Sequence, residues 1–225
     1  MTTVDQSMDD SIKDPTEFWE ARYLSQRGES GHVWSGGVNA AVEREVEGLA
    51  PGKALDLGCG EGADALWMAA KGWTVTAIDI SATALAVGAA AAVERGLSDR
   101  IEWVQADLAS WHPSETYDLV SAAFLHSPVA LPREVILRRV ASAVEPGGRL
   151  LIVGHGAFPS GAVHGDHDQD AVPLPTPDEV LAALDLPDSW AIETKKHVDR
   201  PVAWRDGTDL TLVDTILKVR RPAGT

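Results

Sequence analysis

The sequence predicts an α/β fold: a mixed sheet of seven strands with helices on both faces and a helical segment in front. Three observations predict it. From Lys53 to Gly154 short apolar runs alternate with helical stretches, the pattern of a parallel sheet covered on both sides. The first of those runs ends in a glycine turn that opens a helix. The last two strand candidates, Trp190 to Val198 and Leu210 to Val219, have no helical stretch between them, so they pair antiparallel, with Asp206-Gly207 as the turn signal.

Taken in order, Thr16 to Gln26 reads as a helix with Phe18, Trp19 and Tyr23 as candidates for burial. Val38 to Leu49 reads as a second, because Val38, Ala41, Val42, Val46 and Leu49 recur at helical spacing. Between them runs a glycine-rich loop, residues 31–37, carrying Trp34. Residues 15–50 are expected to form a lid that closes on the sheet, with Trp34 walling the pocket, and the polar residues 1–14 to be disordered.

Ala54 to Leu57 is the first strand, followed by the turn and a helix through Ala70. Trp73 to Ile78 is the second, ending on Asp79, and Ser81 caps an alanine-rich helix up to about Arg95. Ile101 to Gln105 and Leu119 to Ala123 follow as strands. A helix from Pro132 to Val144 stops at Pro146-Gly147-Gly148, and Arg149 to Gly154 is the fifth strand. His155 to Pro175 is a long substrate-side loop, after which Thr176-Pro177-Asp178-Glu179 opens a helix with a capping box. Trp67, Trp73, Trp103 and Trp190 are assigned to the core.

The 225 residues suit one domain, set at 15–221, and 44% hydrophobic with 24% charged residues is a soluble globular profile. No apolar run approaches the ~20 residues that span a bilayer, and the acidic start resembles no targeting signal. A cytoplasmic location and no membrane partner are expected. Cys59 is the only cysteine, so an internal disulfide is excluded. The net charge of −15 disfavours nucleic acid as a partner and leaves a small molecule. The basic cluster Lys218, Arg220 and Arg221 reads as a solvated strand end.

The chemistry concentrates at the turn Gly58-Cys59-Gly60-Glu61-Gly62. Glycines there let backbone amides approach a ligand at a helix N-terminus. Gly58, Gly60 and Ala63 alone also satisfy a permissive dinucleotide fingerprint. Three acids refine that reading. Asp79 stands about twenty residues beyond the turn, where a ribose hydroxyl is gripped. Asp56 lies two residues before Gly58, where a carboxylate suits a cationic methionine moiety and opposes a diphosphate. Asp107 follows the third strand, placed to accept from an adenine amino group.

The stretch from Ala54 through Gly62 resembles the first motif of class I methyltransferases dependent on S-adenosylmethionine (SAM), which have a Rossmann-like fold. Asp79, Ala106-Asp107-Leu108 and Pro146-Gly147-Gly148 are similar to that family's later motifs. The resemblance implies SAM as cofactor, with the turn from Gly58 through Cys59, Gly60 and Gly62 along its methionine part. It implies Asp79 on the ribose, Ile80 and Leu108 on either side of adenine beside Ala106, and Ala122, Ala123 and Phe124 lining the site. Phe18 to Tyr23, then Trp34, is similar to small-molecule members such as the thiopurine and tellurite-resistance methyltransferases.

Methyl transfer asks little of the protein beyond alignment and exclusion of water. A hydroxyl acceptor would be helped by a base, and His155 and His126 stand at the carboxyl ends of strands five and four. Residues 164–170, rich in His and Asp, have irregular spacing and no matching ligands elsewhere, so no metal is expected. Two rival readings stay open: a nicotinamide-dependent oxidoreductase, opposed by Asp56, and a SAM-binding protein without catalysis.

Overall fold

The computed structural model describes residues 14–25, 32–34, 36–157, 174–203 and 209–224. In chain order these form α1 (Pro15–Ser25), α2 (Ala40–Val46), β1 (Lys53–Leu57), α3 (Ala63–Ala70), β2 (Thr74–Asp79), α4 (Ala82–Glu94) and β3 (Ile101–Gln105). There follow β4 (Tyr117–Ala123), α5 (Arg133–Ala141), β5 (Val144–Ala157), α6 (Pro177–Leu184), β6 (Ala191–Ala203) and β7 (Asp209–Arg220). The seven strands make one sheet in the order β3-β2-β1-β4-β5-β7-β6. Only β7 runs against its neighbours, pairing antiparallel with both β5 and β6. The order reverses between β1 and β4, and their carboxyl ends flank the crevice that such a reversal opens.

Period-two alternation divides the core into two layers. Leu55, Leu57, Val120, Leu150 and Ile152 face α5 and α6, where Ile136, Leu137, Val140, Val180 and Leu184 cover them. Ala54, Val75, Leu119, Leu151 and Ile216 face the other way, onto Val42 and Val46 of α2 and Ala65 and Met68 of α3. Trp73 is buried, and Trp67, Trp103 and Trp190 pack on the core as expected.

Several boundaries move. The second helix shrinks to Ala40–Val46: Asn39 caps its start, its side chain accepting from the Ala41 and Val42 N–H groups, which leaves Val38 outside, and Glu47 leaves the helical conformation, which leaves Leu49 outside. α5 ends at Ala141 rather than Val144. Val144 instead starts β5 by pairing with Tyr117, a register shift follows, and regular pairing resumes from Leu119 opposite Arg149. β5 also runs on to Ala157, so His155 sits inside a strand instead of opening a loop. The capping box at Thr176 is present. The expected disordered start, most of the substrate-side loop with residues 164–170, and the Asp206-Gly207 turn lie outside the described residues.

The basic cluster is only in part a solvated end, since Arg220 is exposed and Lys218 is not. Lys218 is half-buried beneath α2, its Nζ 2.9 Å from a Glu45 carboxylate oxygen that also accepts from Thr194 Oγ1 at 2.8 Å. Arg220 pairs with Glu193. This ties α2 to the antiparallel end of the sheet.

One glycine tests packing against propensity. A Cβ on Gly88 of α4 would lie 2.5 Å from the Trp103 ring and 2.9 Å from the Glu61 carbonyl oxygen. Helix propensity favours alanine by about 1 kcal/mol, but overpacking against backbone and an indole costs about 1–3 kcal/mol. Gly88→Ala is therefore expected to lower the urea midpoint; a variant that gains stability would show that the Trp103 ring relaxes freely.

Candidate active site

The turn after β1 holds three glycines at positive φ: Gly58 at 64°, Gly60 at 55° and Gly62 at 76°. Their surroundings differ. Gly62 is a packing glycine, since a Cβ there would fall 2.3 Å from the Trp103 ring. Gly60 leaves room for the Tyr23 hydroxyl, 2.8 Å from where its Cβ would stand. Asp79 clasps the turn from the end of β2, accepting from Gly60 N–H at 2.8 Å and from Ser81 N–H at 2.9 Å. Burial holds its carboxyl above the usual range, against the N–H donors that favour the ionised form.

Two more acids lie below the turn. Asp56 is 2% exposed and its Oδ2 has no hydrogen-bond partner. Its neighbour across the sheet, Ser121 of β4, is equally buried and its hydroxyl is also unpartnered. Burial raises the Asp56 carboxyl far above its ordinary value, and the charges of Asp64 and Asp79 add to the effect. Burial likewise pushes Asp64 up to about 6, although it accepts from Asn39 N–H at 2.7 Å. Two other buried acids are given cations, Glu45 by Lys218 and Asp214 by Arg200. Asp56 is not.

α1 lies across this edge as a strap. Glu20 accepts from Thr83 N–H at the start of α4, and Trp19 Nε1 donates to Ser127 Oγ beyond β4. Tyr23 is buried over the turn, and burial, then the Asp79 charge, push its hydroxyl far above the ordinary range. Trp34 Nε1 donates to that hydroxyl at 3.0 Å, while Glu61 accepts from the Val33 and Trp34 N–H groups. Trp34 itself is 48% exposed. With Cys59, Glu61 and residues of α3 and α4, it borders a cavity of about 550 Å³ that none of Gly58, Asp79 or Phe124 touches.

On the β3 side, Ile80 is half-buried and its carbonyl accepts from Gln105 Nε2. Leu108 is buried and Ala106 half-buried, both against the layer beneath α5. Asp107 is exposed and turns its carboxylate onto Ala109 N–H at 2.8 Å.

Beyond β4 the chain bends sharply. Phe124 adopts a φ of 50°, a costly conformation for a side chain of its size, and its carbonyl accepts from His126 N–H at 2.7 Å. The Phe124 ring stacks on His155 at 4.4 Å, and His126 lies parallel to His155 at 5.7 Å. Burial, then the charges of Arg133 and His155, hold His126 down at about 3, so its imidazole is neutral at physiological pH. Its Nε2 is buried without a partner. Ala123 is half-buried beside Phe124, whereas Ala122 is wholly enclosed on the α5 face and lines no opening at this edge.

Residues 54–148 match the methyltransferase-domain family. That segment is a class I SAM-dependent methyltransferase domain by its match. The match covers β1 to the start of β5, and the family's chemistry is methyl transfer from SAM. A ribosomal RNA small subunit methyltransferase C from Alcanivorax borkumensis is 31% identical over 112 residues, 48% of this chain and 34% of that protein. A 2-heptyl-1-hydroxyquinolin-4(1H)-one methyltransferase from Mycobacteroides abscessus is 34% identical over 121 residues, 50% of this chain and 51% of that protein. The chain thus spans about half, or less, of the curated relatives it matches. Among solved structures, one reported for conversion of a disulfide bond into a thioacetal group during echinomycin biosynthesis superposes with a TM-score of 0.67 at 26% identity, covering 93% of both chains. TehB from Haemophilus influenzae shares the fold, with a TM-score of 0.66 at 17% identity over 82% of this chain and 62% of that one.

The methyltransferase domain can be tested for fit to SAM on its own polar atoms. An unpaired buried carboxylate oxygen at Asp56, with Asp64 and Asp79 around it, asks for a positive group. The methionine end of SAM carries an ammonium and a sulfonium; a dinucleotide would bring a diphosphate to the same acids. The residues fit SAM. Tyr23, Glu61 and Asp64 enter the site without having been singled out for it. Glu61 stands between Gly60 and Gly62 and Asp64 lies two residues after Gly62, and such acids within and just beyond the turn were the available signal. Among the described residues no cluster of His, Cys, Asp and Glu could hold a metal, and no helix is long and apolar enough to cross a membrane.

The raised Asp64 carboxyl has a consequence for stability. With a folded value of about 6 against 3.8 unfolded, its contribution is fully present below about pH 4 and is lost as pH rises through 6. Asp64→Asn keeps an acceptor for Asn39 N–H and removes the charge. The ligand-free variant is expected to gain about 1–2 kcal/mol at pH 7.5 and almost nothing at pH 4. Equal effects of the substitution at both pH values, in urea melts, would contradict the buried-acid reading.

Proposed function

We propose that this protein transfers the methyl group of SAM to a small-molecule acceptor by in-line displacement. The observation that carries the proposal is the unpartnered Asp56 oxygen among three carboxylates with no cation provided. SAM, when bound, supplies an electrophilic methyl group on its sulfonium. Asp56, with Asp64 behind it, is assigned to the cofactor's ammonium. The Asp79 oxygens each keep a lone pair beyond the N–H they accept, and these are assigned to the ribose hydroxyls. Ile80, Ala106 and Leu108 are assigned to the adenine, with Gly58, Cys59 and Gly60 along the methionine chain. Asp107 remains a candidate for the adenine amino group, through a carboxylate lone pair not used by Ala109.

The acceptor side is assigned to Phe124, His126 and His155. A neutral His126 can take a hydrogen bond from an acceptor hydroxyl or thiol, but at about 3 it is too weak a base to keep a proton. His155 is left as the proton acceptor. The net charge of −15 and the pairing of the one basic cluster favour a small molecule over RNA. The hydroxyquinolone relative supports a small hydroxylated acceptor. The N-terminal strap and Trp34 are assigned to a lid that keeps water from the reacting centre.

Titration calorimetry with SAM, S-adenosylhomocysteine, NAD and NADP tests the cofactor. Heat is expected with the first two alone, and heat only with a nicotinamide cofactor defeats the proposal. Asp56→Asn should weaken SAM roughly ten- to a hundred-fold, the cost of one buried charge-assisted bond. Wild-type affinity should also fall as pH drops from 7.5 to 5, because the ligand then displaces a proton from the acid pair. Release of S-adenosylhomocysteine with an acceptor panel separates an enzyme from a binding protein.

The lid is read by hydrogen exchange at Val33 and Trp34, whose N–H groups rest on Glu61. Exchange should slow when S-adenosylhomocysteine binds, and Trp34→Ala should both loosen SAM and lower turnover. Amides that are already slow and stay unchanged would make Trp34 a structural pin.

A further inference from the structure

We infer that Asp214 and Arg200 are positioning residues that hold His155 as the proton acceptor for a neutral hydroxyl or thiol acceptor; this rests on the methyltransferase reading. Asp214 lies in β7, a strand flanked on both sides, with its side chain 4% exposed. A carboxylate buried there costs several kcal/mol unless it is paired. Arg200 of β6 supplies the pair with two contacts, Nε to Oδ2 at 2.6 Å and Nη2 to Oδ1 at 3.2 Å.

A bond between two strands would need nothing more, but this pair continues into the site. Asp214 stands opposite His155 in the antiparallel register, and its Oδ1 lies 3.9 Å from His155 Nδ1. That is beyond a hydrogen bond and within strong electrostatic reach. The Arg200 guanidinium lies 5.5 Å over the Phe124 ring, which also stacks on His155. Guanidinium, phenyl and two imidazoles therefore form one layered array, and the strained turn at Phe124 delivers the ring to it. Other titratable groups close by are His126 on the array, Arg133 beyond it, and His197, whose ring meets the space beside Gly156.

Negative charge beside Nδ1 favours the neutral tautomer with its proton on Nδ1, which puts the lone pair on Nε2. The array holds the ring plane. In the assigned step the acceptor heteroatom bonds to the methyl carbon as the methyl–sulfur bond breaks with its electron pair left on sulfur. The acceptor's proton passes to His155 Nε2. Because the Arg200 charge is taken up by Asp214 and His126 is neutral, the array suits an acceptor that arrives uncharged and carries its own proton.

The test is nitrogen-15 NMR of the full chain saturated with S-adenosylhomocysteine. His155 is expected as the Nδ1–H tautomer in the wild type. Asp214→Asn should shift it toward Nε2–H, and Asp214→Glu should restore it. A wild-type His155 already protonated on Nε2 overturns the inference without any variant having to fold. The second readout is the ratio of S-adenosylhomocysteine release with phenol to that with 4-nitrothiophenol, which is ionised at pH 8. Asp214→Asn should lower that ratio at least tenfold at unchanged KM for SAM, and an unchanged ratio overturns the positioning role. Failure of the cofactor reading would appear separately, as no heat on titration with S-adenosylhomocysteine.

Discussion

The Asp79 carboxylate is the interaction on which the rest of this edge depends. By accepting from both Gly60 and Ser81 it fastens the turn after β1 to the turn after β2, and so sets the N-terminal ends of α3 and α4 against each other. With that distance fixed, Gly88 can approach the Glu61 carbonyl and Trp103 can fill the space left by two glycines. Glu61 then accepts from the Val33 and Trp34 N–H groups, and Gly60 faces Tyr23. A looser turn would lose all of these contacts together, because each is made by backbone or by a buried ring rather than by a flexible surface chain.

Charge is distributed unequally over the buried acids, and the inequality is informative. Glu45 and Asp214 are as buried as Asp79, yet each has a cation in contact. Those pairs join elements of the fold and are complete within the chain. The Asp56 group is incomplete: its strongest influences are loss of water and two further acids. Such an arrangement opposes folding and persists where a bound group of opposite charge relieves it, which is how perturbed acids come to mark functional sites.

The crevice is built from both ends of the chain. The N-terminal strap reaches from α4 to the segment after β4 through Glu20 and Trp19. The C-terminal pair adds β6 and β7 beside β5 and brings Asp214 and Arg200 to the same edge. The matched methyltransferase segment, residues 54–148, holds the cofactor candidates, while His155, Arg200 and Asp214 lie outside it. His155, Arg200 and Asp214 thus come from strands that reach beyond the matched segment, whereas Phe124 and His126 lie within it.

By itself the sequence determined the strand–helix alternation, the mixed sheet and the acids at successive strand ends. These are local signals: period-two and helical spacing, a glycine turn, caps at Ser81 and Thr176. It left the second helix and α5 too long, because side-chain caps and the early pairing of Val144 with Tyr117 end them sooner than apolar spacing does. Only the tertiary structure decided which glycine faces what, since Gly60 and Gly62 look alike in the chain and differ by the ring or hydroxyl that arrives from elsewhere. It also decided that Lys218 pairs with Glu45 and that Asp214 stands beside His155, contacts separated by 173 and 59 positions, respectively. Pairings across such distances depend on strand register and helix docking, and no local pattern in the sequence encodes them.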